Sequence, residues 1–200
     1  MKPRQINFFF KTLDQKLQLK GEVILLGASA GALMGHIRPS LDIDFEIRTR
    51  GSQRTVQQAI QSASEIAGVA VNYSENVGGG SRINYLDYRK TAIFYKKIGK
   101  LNIRLIAPEY WTIGKMARFL DLDLKDIIKI IRRKKIKPER LILIWAKAIR
   151  SSDLSLELGQ FRDHVLYFLK VYGKKIWGKK FNLNQTIEIF KKRVGAEHFL

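Results

Sequence analysis

The sequence predicts an α+β fold in two parts, an α/β core over residues 1–107 and a helical region over residues 108–200. Three observations lead there. Short apolar or alternating runs closed by glycine fill the first part, as buried and half-buried strands require. From Pro108 onward the apolar spacing changes to that of amphipathic helices. A chain of 200 residues that is 46% apolar is also long and apolar enough to bury its own core.

Residues 4–19 place Ile6, Phe9, Phe10, Leu13 and Leu17 at near-helical spacing among charges, which predicts an amphipathic helix packed on the neighbouring strands. Val23 to Leu26 is a short apolar run ending at Gly27 and reads as a buried strand. Gly27 to His36 is small and glycine-rich, a tight turn opening a short helix. Leu41 to Ile47 alternates apolar and acidic residues without a break, which predicts a strand. Residues 52–67, begun by Ser52 and closed by Gly68, read as a helix, and strand character returns at Val69 to Tyr73. Gly78-Gly79-Gly80 marks a break, with further strands expected at Arg82 to Tyr85, Thr91 to Ile98 and Leu101 to Ile106. Helices are expected at 108–119, 122–133, 138–149, 155–171 and 184–194, with Pro108 and Pro138 as helix starters.

Charge and cysteine content restrict the functional classes. Lys and Arg number 37 against 18 Asp and Glu, a formal charge of +19, so polyanions are the natural partners. With no cysteine, disulfides, thiolate metal sites and thiol nucleophiles are excluded. No apolar run approaches the ~20 residues of a membrane span. Phe8-Phe9-Phe10 lacks the length of a signal peptide, and a cytoplasmic protein is expected.

The chemistry concentrates around residues 27–46. On a strand, alternate side chains share a face, so Asp42, Asp44 and Glu46 stand side by side. Carboxylates so arranged suit Mg²⁺ (or Mn²⁺), a hard cation often shared with substrate phosphates. The preceding strand, glycine turn and helix supply backbone N–H groups for an anion, and Ser29 adds a hydroxyl.

The runs Leu26-Gly27-Ala28-Ser29 and Ser40-Leu41-Asp42-Ile43-Asp44-Phe45 together resemble the nucleotidyltransferase superfamily, with its glycine turn followed by an Asp-x-Asp strand. Downstream, Lys115-Met116-Ala117-Arg118 with Asp123 and Asp126 is similar to a helical segment of a bacterial branch. That branch includes the toxin components of abortive-infection systems. The resemblance covers roughly residues 20–135. It implies a nucleotidyltransferase-like mixed sheet flanked by helices, and transfer of a nucleotidyl group from an NTP to a hydroxyl on RNA or protein with metal assistance. By position it implies Gly27 and Ser29 as phosphate contacts and Asp42 and Asp44 as metal ligands. It likewise makes Lys115 a phosphate-neutralising or catalytic cation and Asp126, or Asp123, its partner.

Two positions depart from the family pattern. Ala28 stands where a second glycine is common, and the strand Leu101 to Leu105 offers Asn102 and Arg104 where polymerising members carry a third carboxylate as general base. Glu46, or Lys115 with Asp126, is left as a substitute. The alternative is a catalytically inactive nucleic-acid-binding protein on the same fold, paired with a partner protein in a toxin–antitoxin or defence system.

Gly27-Ala28-Ser29-Ala30-Gly31 also spells the nucleophile elbow of serine hydrolases, but only 28 residues precede Ser29, too few for the strands and oxyanion loop such an enzyme needs. His36, His164 and His198 form no metal spacing. Two basic clusters remain. One runs from Lys125 to Lys137. The other joins Lys170, Lys174, Lys175, Lys179 and Lys180 with Tyr172 and Trp177, and reads either as a solvated face or as an RNA groove with stacking aromatics.

Overall fold

The structure, a computed structural model, describes residues 1–35, 39, 41–74 and 83–195. The chain is α+β and divides into two compact units. One comprises Met1–Val77 and Arg89–Ala107, the other Gly78–Tyr88 and Pro108–Leu200.

The first unit is built on a five-stranded mixed sheet of order β3-β2-β1-β5-β4. Its strands are β1 (Gly21–Leu25), β2 (Asp42–Thr49), β3 (Ala70–Ser74), β4 (Ile93–Ile98) and β5 (Leu101–Leu105). The central β1 runs antiparallel to β2 and parallel to β5. β2 pairs parallel with β3 across α3 (Gln53–Ala67), the length of crossover a parallel pair needs. Helix α1 (Pro3–Leu17) buries Ile6, Phe9, Phe10, Leu13 and Leu17, and Phe9 and Phe10 meet Phe45 of β2 at centroid distances of 5.7 and 5.5 Å. Burying rings of this kind stabilises by about 1.5–3 kcal/mol each. α3 starts at Ser52, whose hydroxyl accepts from the Thr55 N–H at 3.2 Å, and stops at Gly68 with φ of 61°. One face of the sheet is therefore apolar, carrying Val23, Ile43, Phe45, Ile47, Leu101 and Ile103. The opposite face carries the acids of β2.

The second unit is helical: α5 (Pro108–Arg118), α6 (Asp121–Lys134), α7 (Pro138–Arg150), α8 (Leu156–Trp177) and α9 (Leu183–Val194). Its core holds Trp145, Phe161, Phe168 and Phe190, all fully buried. The Trp145 indole donates to Thr112 Oγ1 at 2.9 Å, so the largest core side chain leaves no polar atom unsatisfied. Among the described residues no helix is long and apolar enough to cross a membrane.

Three expectations need correction, and two segments lie outside the described residues. Ile83–Tyr85 is not a strand. Its backbone is satisfied by side chains instead, because the Asn84 N–H donates to Ser152 Oγ at 2.8 Å and Asn84 Oδ1 accepts from the Leu86 N–H at 2.7 Å. Tyr85 packs its hydroxyl against Gly114, where any side chain would collide with it. The residue after this turn begins a short helix, α4 (Tyr88–Thr91), so the next strand starts at Ile93 rather than Thr91. The helix expected to end at 171 continues to Trp177, because Phe181 lies against Gly173 in space a Cβ would fill. The Gly78-Gly79-Gly80 break and Arg82 lie outside the described residues.

Candidate functional site

The acidic strand β2 folds as its alternation requires. Ile43, Phe45 and Ile47 turn into the core, while Asp42 and Asp44 are half-buried on the other face. Their Cα atoms are two strand rises apart, about 7 Å. Asp44 is fixed from three sides. Its carbonyl accepts from the Leu26 N–H at 2.9 Å and from Ser29 Oγ at 3.1 Å, and its Oδ1 accepts from Asn72 Nδ2 of β3 at 3.2 Å. Gly27, with φ of 47°, opens α2 (Gly27–Gly35), and its Cα lies so close to the Asp44 carboxylate that a Cβ would overlap it. Glycine is needed here on both counts. The result brings Gly27, Ser29 and Asp44 together, with the carboxylate at the N-terminus of α2, where the helix dipole is positive.

Ser29 is fully buried and its hydroxyl also reaches the Leu26 carbonyl at 2.9 Å, so it ties the turn to β2. The hydroxyl is thereby directed at carbonyls of the turn and of β2. Glu46 differs from the two aspartates. It is 1% exposed, and Arg89 clasps it through Nε at 2.6 Å and Nη2 at 3.0 Å while Arg48 Nε lies at 3.2 Å. The Glu46 carboxylate oxygens are thus engaged by two guanidiniums.

The face of β5 offers no acid either. Through Ile24, Arg104 lies in register with Glu46 on the same face of the sheet. Arg104 donates to the Ala92 carbonyl at 2.6 Å and stands 3.8 Å from Glu22, while Asn102 Nδ2 donates to Glu22 at 3.2 Å.

In the helical unit Lys115 meets both Asp123 and Asp126. The ammonium, 2% exposed, donates to Asp123 Oδ1 and to Asp126 Oδ2, both at 2.8 Å. It also stands 5.1 Å from the Trp111 ring centroid. Asp123 is buried, which by itself raises its pKa, but hydrogen bonds from Arg118 and Lys115 outweigh that and hold the carboxyl below its ordinary value. The geometry around Lys115 is that of a structural ion triad, with its donors directed at carboxylates of its own unit.

Among the described residues no three His, Cys, Asp or Glu side chains gather as a metal cage. Mg²⁺ commonly takes only one or two carboxylates and completes its shell with water and substrate phosphates, so the Asp42–Asp44 pair on its own fits that ion. His164 is occupied by packing, its Nδ1 3.0 Å from the Met116 carbonyl and its ring stacked on Phe119. His36 and His198 lie outside the described residues. Trp177 is also used internally: its indole donates to the Ile136 carbonyl at 2.9 Å and its ring stacks on Phe181 at 5.1 Å. Sequence reasoning missed Arg89, which lies on another element from the acid it holds, and named Arg118 within a motif without its contact to Asp123. Asn72 was in principle legible, since it falls opposite Asp44 in the β2–β3 register. No protein family, curated protein or solved structure matches this chain.

Proposed function

We propose that the chain is a metal-dependent nucleotidyltransferase that moves a nucleotidyl group from an NTP to a hydroxyl on RNA or protein. The observation that supports it most is the packing of the Gly27 turn against the Asp44 carboxylate. A metal triphosphate needs two complementary surfaces, oxygen ligands for the cation and N–H donors for the phosphates. Asp42 and Asp44 supply the first and the N-terminal turn of α2 the second, braced by Ser29 and Asn72. When bound, the cation would neutralise phosphate charge and favour the deprotonated acceptor hydroxyl. In this reading Lys115 and Asp126 hold the helical unit together.

A second reading, a nucleic-acid-binding protein of this fold without catalysis, is favoured by Arg104 and by the clasped Glu46. Together they leave β5 without an acid and the Glu46 carboxylate engaged by guanidiniums.

The experiment incubates the protein with each labelled NTP, Mg²⁺ or Mn²⁺, and pools of RNA and protein acceptors, beside Asp44→Asn. Label transfer by the wild type that is lost in Asp44→Asn is expected. Absence of transfer with a retained, Asp44-dependent rise in melting temperature on adding NTP and Mg²⁺ selects the second reading. Absence of both removes the nucleotide–metal site.

A further inference from the structure

The two basic clusters, about forty residues apart in sequence, meet in the helical unit around one open pocket of ≈ 610 Å³. From the end of α6 and the turn after it come Arg132, Lys135 and Lys137. From the end of α8 and beyond come Trp177, Lys180 and Phe181, and isoleucine side chains complete an apolar wall. The two sides are fastened together, since Arg132 Nη2 donates to the Lys175 carbonyl at 2.9 Å and the Trp177 indole to the Ile136 carbonyl at 2.9 Å. Four cations face a single carboxylate, Glu139, around the rim.

We infer that this pocket binds single-stranded nucleic acid, taking one unstacked base against the apolar wall while the rim cations meet the flanking phosphates. The chemistry of the lining favours this partner over other polyanions. A purely electrostatic site has no use for an apolar floor, whereas an unpaired base has a flat apolar face and phosphates on either side. The cations also extend past the pocket. Arg133 and Lys134 on α6, and Lys174 and Lys175 on α8, are exposed on the same two helix ends, more charge than one nucleotide neutralises and enough for a strand. Trp177 is a fixed surface: anchored by its N–H and stacked on Phe181, it stays half-exposed at the pocket wall. A preset aromatic loses little freedom when a base lies against it. The inference stands on the helical unit alone and needs neither the metal pair nor catalysis.

The protein has three tryptophans, and Trp111 and Trp145 are buried, so quenching of the emission by acrylamide reports mainly on Trp177. The full chain, without NTP or metal, is titrated with a short single-stranded RNA. Protection of the emission from quenching is expected, and protection that persists in Trp177→Phe would overturn the assignment. Affinity is then compared between two charge-matched double variants. Lys135→Glu with Lys180→Glu should weaken binding at least about tenfold and lower the salt slope by about 1.4, two single-strand phosphate contacts. Lys20→Glu with Lys97→Glu, which makes the same charge change in the sheet unit, should change it less than about threefold. Equal losses in both would show that net charge alone governs binding and would remove the site, as would equal affinity for a duplex of the same sequence. Thermal melts of both double variants identify any loss due to unfolding.

Discussion

Replacing Lys115 with methionine tests the helical unit at its most exposed physical weakness, a cation and two carboxylates sealed from water. Lys115 is 2% exposed, its two carboxylate side chains are 2% and 6% exposed, and both contacts are 2.8 Å. Removing the ammonium leaves Asp123 with Arg118 as its remaining cation, a residue whose own side chain is 54% exposed, and strips Asp126 of its Lys115 contact. Breaking a buried ion pair from one side costs about 3–5 kcal/mol. For a chain of this size that lowers Tm by about 6–20 °C, at about 2–4 °C per kcal/mol. The pH dependence has a definite sign. In the wild type the Asp123 pKa lies below its unfolded value, so its contribution is complete above the unfolded pKa of about 3.9 and is lost as pH falls through the folded pKa. In Lys115→Met burial remains while one of the lowering influences is gone, so protonation relieves the variant. The gap in Tm between the two proteins should be wide at pH 7 and narrow towards pH 4. Adding Asp123→Asn and Asp126→Asn should restore most of the loss at pH 7, because neutral partners do not need the missing cation. Calorimetry at the two pH values measures all three proteins. A loss below about 1 kcal/mol at pH 7, or a gap that does not change with pH, would refute the structural role and return Lys115 to phosphate chemistry.

Gly27→Ala should be costly at the turn, since a Cβ there combines a positive φ with overlap of the Asp44 carboxylate. A destabilisation of about 1–3 kcal/mol is expected by denaturant titration, together with loss of any NTP–Mg²⁺ thermal shift. Glu46→Gln keeps the shape but removes the charge that Arg89 and Arg48 face, and about 1–3 kcal/mol of stability should be lost. If Glu46 only braces the sheet, label transfer at a temperature well below the variant's Tm remains within about threefold of the wild type, whereas loss beyond a hundredfold would make it the missing base.

The parts of the fold set by local chemistry were legible in the residues. Ser52 and Gly68 bound α3 because a hydroxyl caps the first N–H groups and glycine takes the left-handed exit, and Pro108 and Pro138 open α5 and α7. The strict alternation from Leu41 to Ile47 could be nothing but a half-buried strand. What sequence could not provide were contacts between distant elements. Ile83-Asn84-Tyr85 carries a β-branched and an aromatic residue and reads as a strand, yet Ser151 and Ser152 and the surface at Gly114 give its polar groups and its ring better partners than a sheet does. The helix expected over 155–171 continues to Trp177, with the Phe181 ring covering Gly173.

The candidate site shows the same division on a single strand. Asp42, Asp44 and Glu46 are equivalent by spacing, and alternation puts all three on one face. Their chemistry separates only in three dimensions. Two aspartates stay half-buried, Asp44 against the Gly27 turn, while the glutamate is sealed under Arg89, which lies 43 residues further along the chain. Three acids in five residues single out β2 as the candidate strand. The glutamate was set apart from the aspartates by an arginine that no periodicity connects to it. The same holds for Lys115, which shares its letter with every other lysine of a chain at +19 and differs from them in being 2% exposed. A motif specifies which residue types a site requires. Burial then separates residues of one type, and on that measure the half-buried Asp42 and Asp44 stand apart from the buried Glu46, Lys115 and Asp126.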